Sequence, residues 1–184
     1  MARIKSAWEI ALEKTQDIEI DETKLKNDSL VKAGMALAGG YLNNSDQNLD
    51  VVAAKFSSYD DNERRLVRQG VITTLLSNIS LPNDDIYQLR FQRTCDLAAL
   101  ASGSDAQIMN LMNQIGSFMD QYTQAKQAFV DRMQAQIQQA MESNPEGVNQ
   151  AQYSQLISQN LKKMDAQYGD ALENTKQQLK EMLG

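Results

Sequence analysis

The chain of 184 residues contains no histidine. That removes the usual general base near neutral pH and the commonest metal ligand. Ser-His-Asp and Cys-His sites are therefore impossible, and so is the di-iron helical site built on Glu-x-x-His. There is one cysteine, Cys95, too few for a zinc site and unable to form an intramolecular disulfide. It falls within an apolar helical pattern, which predicts a core thiol rather than a redox group. Its solitude also suits a reducing compartment.

Other scarcities bear on fold. Only 2 prolines and 9 glycines occur, and aromatics are 6% of the residues. Met, Ala and Leu dominate the apolar set, favouring long helices over sheets. The opening MARIKSAWEIALEK is broken by charges and lacks the apolar run of a secretory signal. Val31–Leu42 is too short and glycine-rich to span a bilayer. A cytoplasmic protein is the expectation. The net charge of -6, with signs intermixed and no basic stripe, argues against nucleic-acid binding.

Helical spacing then organises the chain. Ile4, Trp8, Ala11 and Leu12 predict a first helix over Ala2–Thr15, with Trp8 as an aromatic anchor. A second begins near Asp21 and carries Leu25, Leu30, Gly34, Leu37, Ala38 and Tyr41. Its small residues allow close packing, and Gly39-Gly40 read as helix-end signals. They make no phosphate-cradling loop, since neither GxGxxG nor GxxxxGK[ST] is present. Ser45 or Asp46 is expected to cap a short helix through Val52 and Phe56. Asp60 with Glu63 resembles a capping box for a helix over Arg64–Ile79. After Pro82, Ile86, Leu89, Leu97 and Leu100 mark a helix with apolar groups on two faces, expected to be the most buried.

Ala101-Ser102-Gly103-Ser104 is the clearest boundary, and Ser104 with Gln107 has capping-box spacing. Beyond it, Ile108, Ile115, Tyr122 and Phe129 recur every seven residues. Met112, Met119 and Met133 fill the second position, with Lys126 interrupting. Leu111, Phe118 and Ala125 widen this stripe beyond a strict coiled-coil seam. Ser143–Asn149 reads as a turn. The last run carries Tyr153, Ile157, Leu161, Met164, Tyr168, Leu172, Leu179 and Met182 at three- and four-residue steps. Fold class is therefore all-α: an N-terminal helical bundle of four to five helices over residues 1–102, then a long antiparallel αα-hairpin over 103–184. The hairpin is expected to pack on the first domain or on a second subunit.

No catalytic, cofactor-binding or metal-binding residue is assigned. Glu9 with Glu13, Asp46 with Asp50, and Asp84-Asp85 are carboxylate pairs, but none has calcium-loop spacing. Two candidate sites remain. Arg64, Arg65, Arg68, Arg90 and Arg93 form a possible anion-binding cluster, provided their guanidiniums converge on a cavity. The stripe Ile108, Met112, Ile115, Met119, Tyr122, Phe129, Met133, Ile157, Leu161, Met164 and Tyr168 forms a possible interaction surface. The leading reading is a structural or assembly protein acting through helix-mediated contact with a protein partner or with itself as a homodimer. The alternatives are a chaperone-like module whose Met-rich face takes an amphipathic client, and a small-anion-binding helical enzyme using the arginines.

Overall fold

The computed structural model describes residues 22–84, 86–143 and 150–184. The helix expected over Ala2–Thr15, with Trp8, lies outside the described residues, as does the expected turn through 144–149. The fold is all-α, with six helices among the described residues: α1 (Glu22–Asn43), α2 (Leu49–Ser57), α3 (Asp61–Asn78), α4 (Tyr87–Ser102), α5 (Ala106–Ser143) and α6 (Gln150–Leu183). None of them is long and apolar enough to cross a membrane.

The helix ends have identifiable causes. Asp60 Oδ1 accepts the Glu63 amide at 2.9 Å, the N-cap that the sequence predicts for α3. The cap of α2 is Asn48, which accepts the Asp50 amide at 2.9 Å, in place of Ser45 or Asp46. The cap ahead of α5 is Asp105 rather than Ser104. Its Oδ1 takes the amides of Gln107 at 2.9 Å and Ile108 at 3.1 Å. Ser104 is instead held at φ 63 beside Gly103 at φ 65, so both residues of this reversal are left-handed. Its amide closes α4 by donating to the Ala99 carbonyl at 2.8 Å.

Gly39-Gly40 do not end α1, which continues to Asn43. Leu37, Ala38 and Tyr41 are buried on either side of the pair, and their packing offsets the roughly 1 kcal/mol each glycine costs a helix. The glycines that fix the packing are Gly34 and Gly70, where α1 crosses α3 at backbone contact. A Cβ on Gly34 would overlap the Val67 carbonyl, and one on Gly70 would overlap that of Val31. Gly116 on α5 likewise makes room for the Phe91 ring of α4.

A single buried cluster draws on all six helices: Leu37 and Tyr41 of α1, Val52 and Phe56 of α2, Val67, Val71 and Leu75 of α3, Leu97 and Ala98 of α4, Ile108, Met112, Ile115 and Met119 of α5, and Leu172, Leu179 and Leu183 of α6. Helix α4 is buried over its second half. Its entry is not, contrary to the two-faced pattern: Ile86 and Leu89 are each 58% exposed. Cys95 is a buried thiol, as its pattern predicts. Burial, and then the Asp96 carboxylate beside it, push its pKa up to about 11.

Candidate functional site

Three of the five arginines donate to carbonyls at helix ends. Arg93 of α4 reaches across to the end of α1 and the turn after it. Its Nε donates to the Tyr41 carbonyl at 2.9 Å, and Nη2 donates to those of Asn44 at 2.8 Å and Gln47 at 3.1 Å. Its guanidinium lies 3.8 Å from the centroid of the Tyr41 ring. The Tyr41 hydroxyl donates to Asp96 at 2.7 Å. Burial, then that hydrogen bond, push Tyr41 up to about 12. Arg64 donates to the Tyr59 carbonyl at 2.7 Å and the Ser57 carbonyl at 3.1 Å, holding the end of α2. Its Nε is buried with no hydrogen-bond partner among the described residues. Arg68 donates through Nε to the Ala101 carbonyl, at the end of α4. A cation at a helix C-terminus meets both orphan carbonyls and the negative end of the dipole.

The other two lie apart. Arg90 pairs with Asp84 at 2.6 Å, and Arg65 is exposed. Arg90 edges a small cavity of about 110 Å³ that has no second arginine in its lining. The five side chains thus sit apart rather than around a common cavity. Among the described residues no group of three or more His, Cys, Asp or Glu could hold a metal ion.

Part of the stripe lies where α5 and α6 meet. Cross-contacts run in opposite order along the two helices: Phe118 and Tyr122 meet Tyr168, with ring centroids 5.2 Å apart in each case, and Tyr122 and Lys126 meet Asp165. Nearer the chain's end, Gln107 and Leu111 face Gln178 and Met182 across an open groove of about 480 Å³. The seam changes character along its length. Ile108, Met112, Ile115 and Met119 belong to the common core. Tyr122 and Met133 are buried, whereas Phe129, Ile157, Leu161, Met164 and Tyr168 are half-buried. The cluster has no member on α5 beyond Met119 or on α6 before Leu172. Past those points α5 continues for 24 residues (Asp120–Ser143) and α6 for 22 (Gln150–Ala171). That is roughly 33–36 Å of helix at 1.5 Å per residue. Leu156 at 46% and Met141 at 39% exposure stand on this stretch.

Where the two regimes meet, Lys126 enters the stripe. It finds a partner there: Nζ donates to the Tyr122 hydroxyl at 2.9 Å, and that hydroxyl donates to Asp165 Oδ1 at 2.6 Å. Burial, then the bond to Asp165, raise the Tyr122 pKa, and the bond to Tyr122 raises that of Lys126. The cluster joins a lysine, a tyrosine and a carboxylate in one chain of hydrogen bonds between α5 and α6. The tyrosine and lysine lie four apart on one helix face, a signal present in the sequence. Asp165, their partner 43 residues on, carried none.

A family model described as a family of unknown function (DUF6657) matches residues 53–181. No curated protein and no solved structure matches the chain.

Proposed function

The chain belongs to the DUF6657 family, and on that premise we propose that it is a structural or assembly protein acting through helix-mediated protein–protein contact. Helices α5 and α6 form a hairpin whose base completes a helical bundle and whose outer half serves as a contact arm. The observation that carries this reading is the length of helix beyond Met119 and Leu172, where the apolar stripe, Tyr122 and Met133 apart, is half-buried rather than enclosed. Two helices alone enclose little apolar surface, and a third or fourth partner helix is the usual remedy. The family match covers the whole of α5 and nearly all of α6, which supports treating the arm as a family property.

Deleting residues from Ser104 onward would remove Ile108, Met112, Leu179 and Leu183 from the core, so the test uses a surface variant. Leu156→Glu with Gln159→Glu places charge on exposed arm positions. In cells of the source organism, a lysine-reactive cross-linker should join wild-type Lys162 and Lys163, both exposed on α6, to other polypeptides. Those links should vanish in the variant, while its thermal midpoint stays within a few degrees of wild type. Links distributed over Lys32 and Lys55 of the bundle, and unchanged in the variant, would refute the arm.

A further inference from the structure

The first two turns of α1 are exposed on every side. All eight residues from Glu22 to Ser29 are open to solvent, and Leu25 among them is 58% exposed. Met35, nearly three turns further on, is 38% exposed. The packed side of this helix, with Gly34, Leu37, Ala38 and Tyr41, begins only after them. Helices in proteins draw most of their stability from packing an apolar face, and isolated ones shorter than about 12–15 residues are marginal in water. We infer that the segment Ala2–Thr15 packs antiparallel along the exposed side of α1, from Glu22 to Met35.

The sequence and the position of the segment select it as the occupant. It carries Ile4, Trp8, Ala11 and Leu12 at helical spacing, an apolar stripe with Lys5, Glu9 and Glu13 beside it. Residues 16–21 join it to Glu22, a connection of six residues, within the roughly 2–8 usual between packed helices. Closing so short a loop costs less entropy than reaching a helix further along the chain. The lengths agree. Ala2–Thr15 and Glu22–Met35 are fourteen residues each, about 21 Å of helix. A turn centred in 16–21 sets Leu12 level with Leu25, Trp8 with Ser29 and Ile4 with Ala33. Leu25, Ser29 and Ala33 form one row of α1, so the two largest side chains of the segment meet small ones. Gly39 lies beyond the end of the contact.

Trp8 is the only tryptophan in the chain, so its fluorescence reads this contact. In the full chain its emission should lie to the blue of its position in urea and resist acrylamide quenching, equally at every protein concentration. Leu25→Glu should move the emission to the urea position and make quenching several-fold stronger, with the circular-dichroism Tm within a few degrees of wild type. Ile4→Glu should do the same from the segment's side. Leu89→Glu, at an equally exposed position on α4, should leave Trp8 as in wild type. A wild-type Trp8 that emits as in urea, or one that Leu25→Glu leaves shielded, would overturn the inference. Shielding that appears only as concentration rises would assign this face to a second copy, and shielding lost in Leu89→Glu would assign Trp8 to α4. Either result overturns it.

Discussion

Alanine at Gly34 and alanine at Gly39, five residues apart on α1, should change stability in opposite directions. A Cβ on Gly34 would overlap the Val67 carbonyl oxygen and come within 2.8 Å of its carbon and 3.1 Å of Gly70 Cα. These are backbone atoms of a packed helix and cannot rotate aside. Relief requires α1 and α3 to separate by about 1 Å, a gap that forfeits a quarter to a half of each contact well. Leu37, Ala38, Tyr41, Val67 and Val71 are buried on these two helices. A quarter to a half of about 2 kcal/mol for each of the four large side chains among them amounts to roughly 2–4 kcal/mol. The helix-propensity gain of alanine over glycine returns about 1 kcal/mol. The net loss is about 2 kcal/mol, or a fall in Tm of about 4–8 °C for a chain of this size. A Cβ on Gly39 meets nothing within 4 Å. Gly39→Ala should therefore keep the propensity gain and raise Tm by about 2–4 °C. Thermal unfolding followed by circular dichroism reads both. A neutral Gly34→Ala, or stabilisation by both substitutions, would refute a backbone-tight crossing of α1 and α3 at Gly34.

Other outcomes follow from the same contacts. Arg93→Lys should lose the fork that reaches four carbonyls, costing about 1–2 kcal/mol in urea unfolding, while Arg65→Lys, on an exposed position, should cost less than about 0.5 kcal/mol. Tyr41 titrates at about 12 in the fold against 10.0 unfolded, so the fold prefers the protonated phenol. Its contribution, about 2–3 kcal/mol, is fully present below pH 10 and lost as pH rises towards 12. Tyr41→Phe should flatten that part of the stability–pH curve. Cys95, buried and pushed up to about 11, should react with a thiol reagent at pH 7.5 only at the rate of unfolding, with full labelling in denaturant. Tyr122→Phe leaves Asp165 and Lys126 without their shared hydroxyl and should lower stability by about 1 kcal/mol, since both partners keep partial access to water.

Much of the fold was legible because it is written in period. The seven-residue recurrence from Ile108 to Phe129 and the three- and four-residue steps from Tyr153 to Leu179 mark α5 and α6 almost to their ends. The small-residue face of α1 pointed to close packing, and Gly34 is where that packing occurs. Its partner Gly70 was not identifiable, because nothing local records which helix a small residue faces. Caps were displaced by a few positions at Asn48 and Asp105, where neighbouring residues of equal capping ability compete and tertiary packing decides the winner. The two apolar faces of α4 implied full burial. Its entry at Ile86 and Leu89 is exposed, while Arg90 beside them turns back to Asp84. The arginines were the least legible feature. A cluster in sequence resembles an anion site, but their acceptors are carbonyls as far as 52 residues away, and a carbonyl has no residue-type signature. The apolar stripe could be read, but not the point at which core burial stops, because that depends on how long α3 and α4 are beside it.

The contact arm is the central claim, and site-specific photo-cross-linking tests it most directly. A photoreactive residue at Gln159, exposed on α6, is compared in cells with one at Gln69, exposed on α3. A contact arm gives discrete protein adducts from position 159 and none from position 69. Adducts from position 69 alone, or none from either, would contradict it.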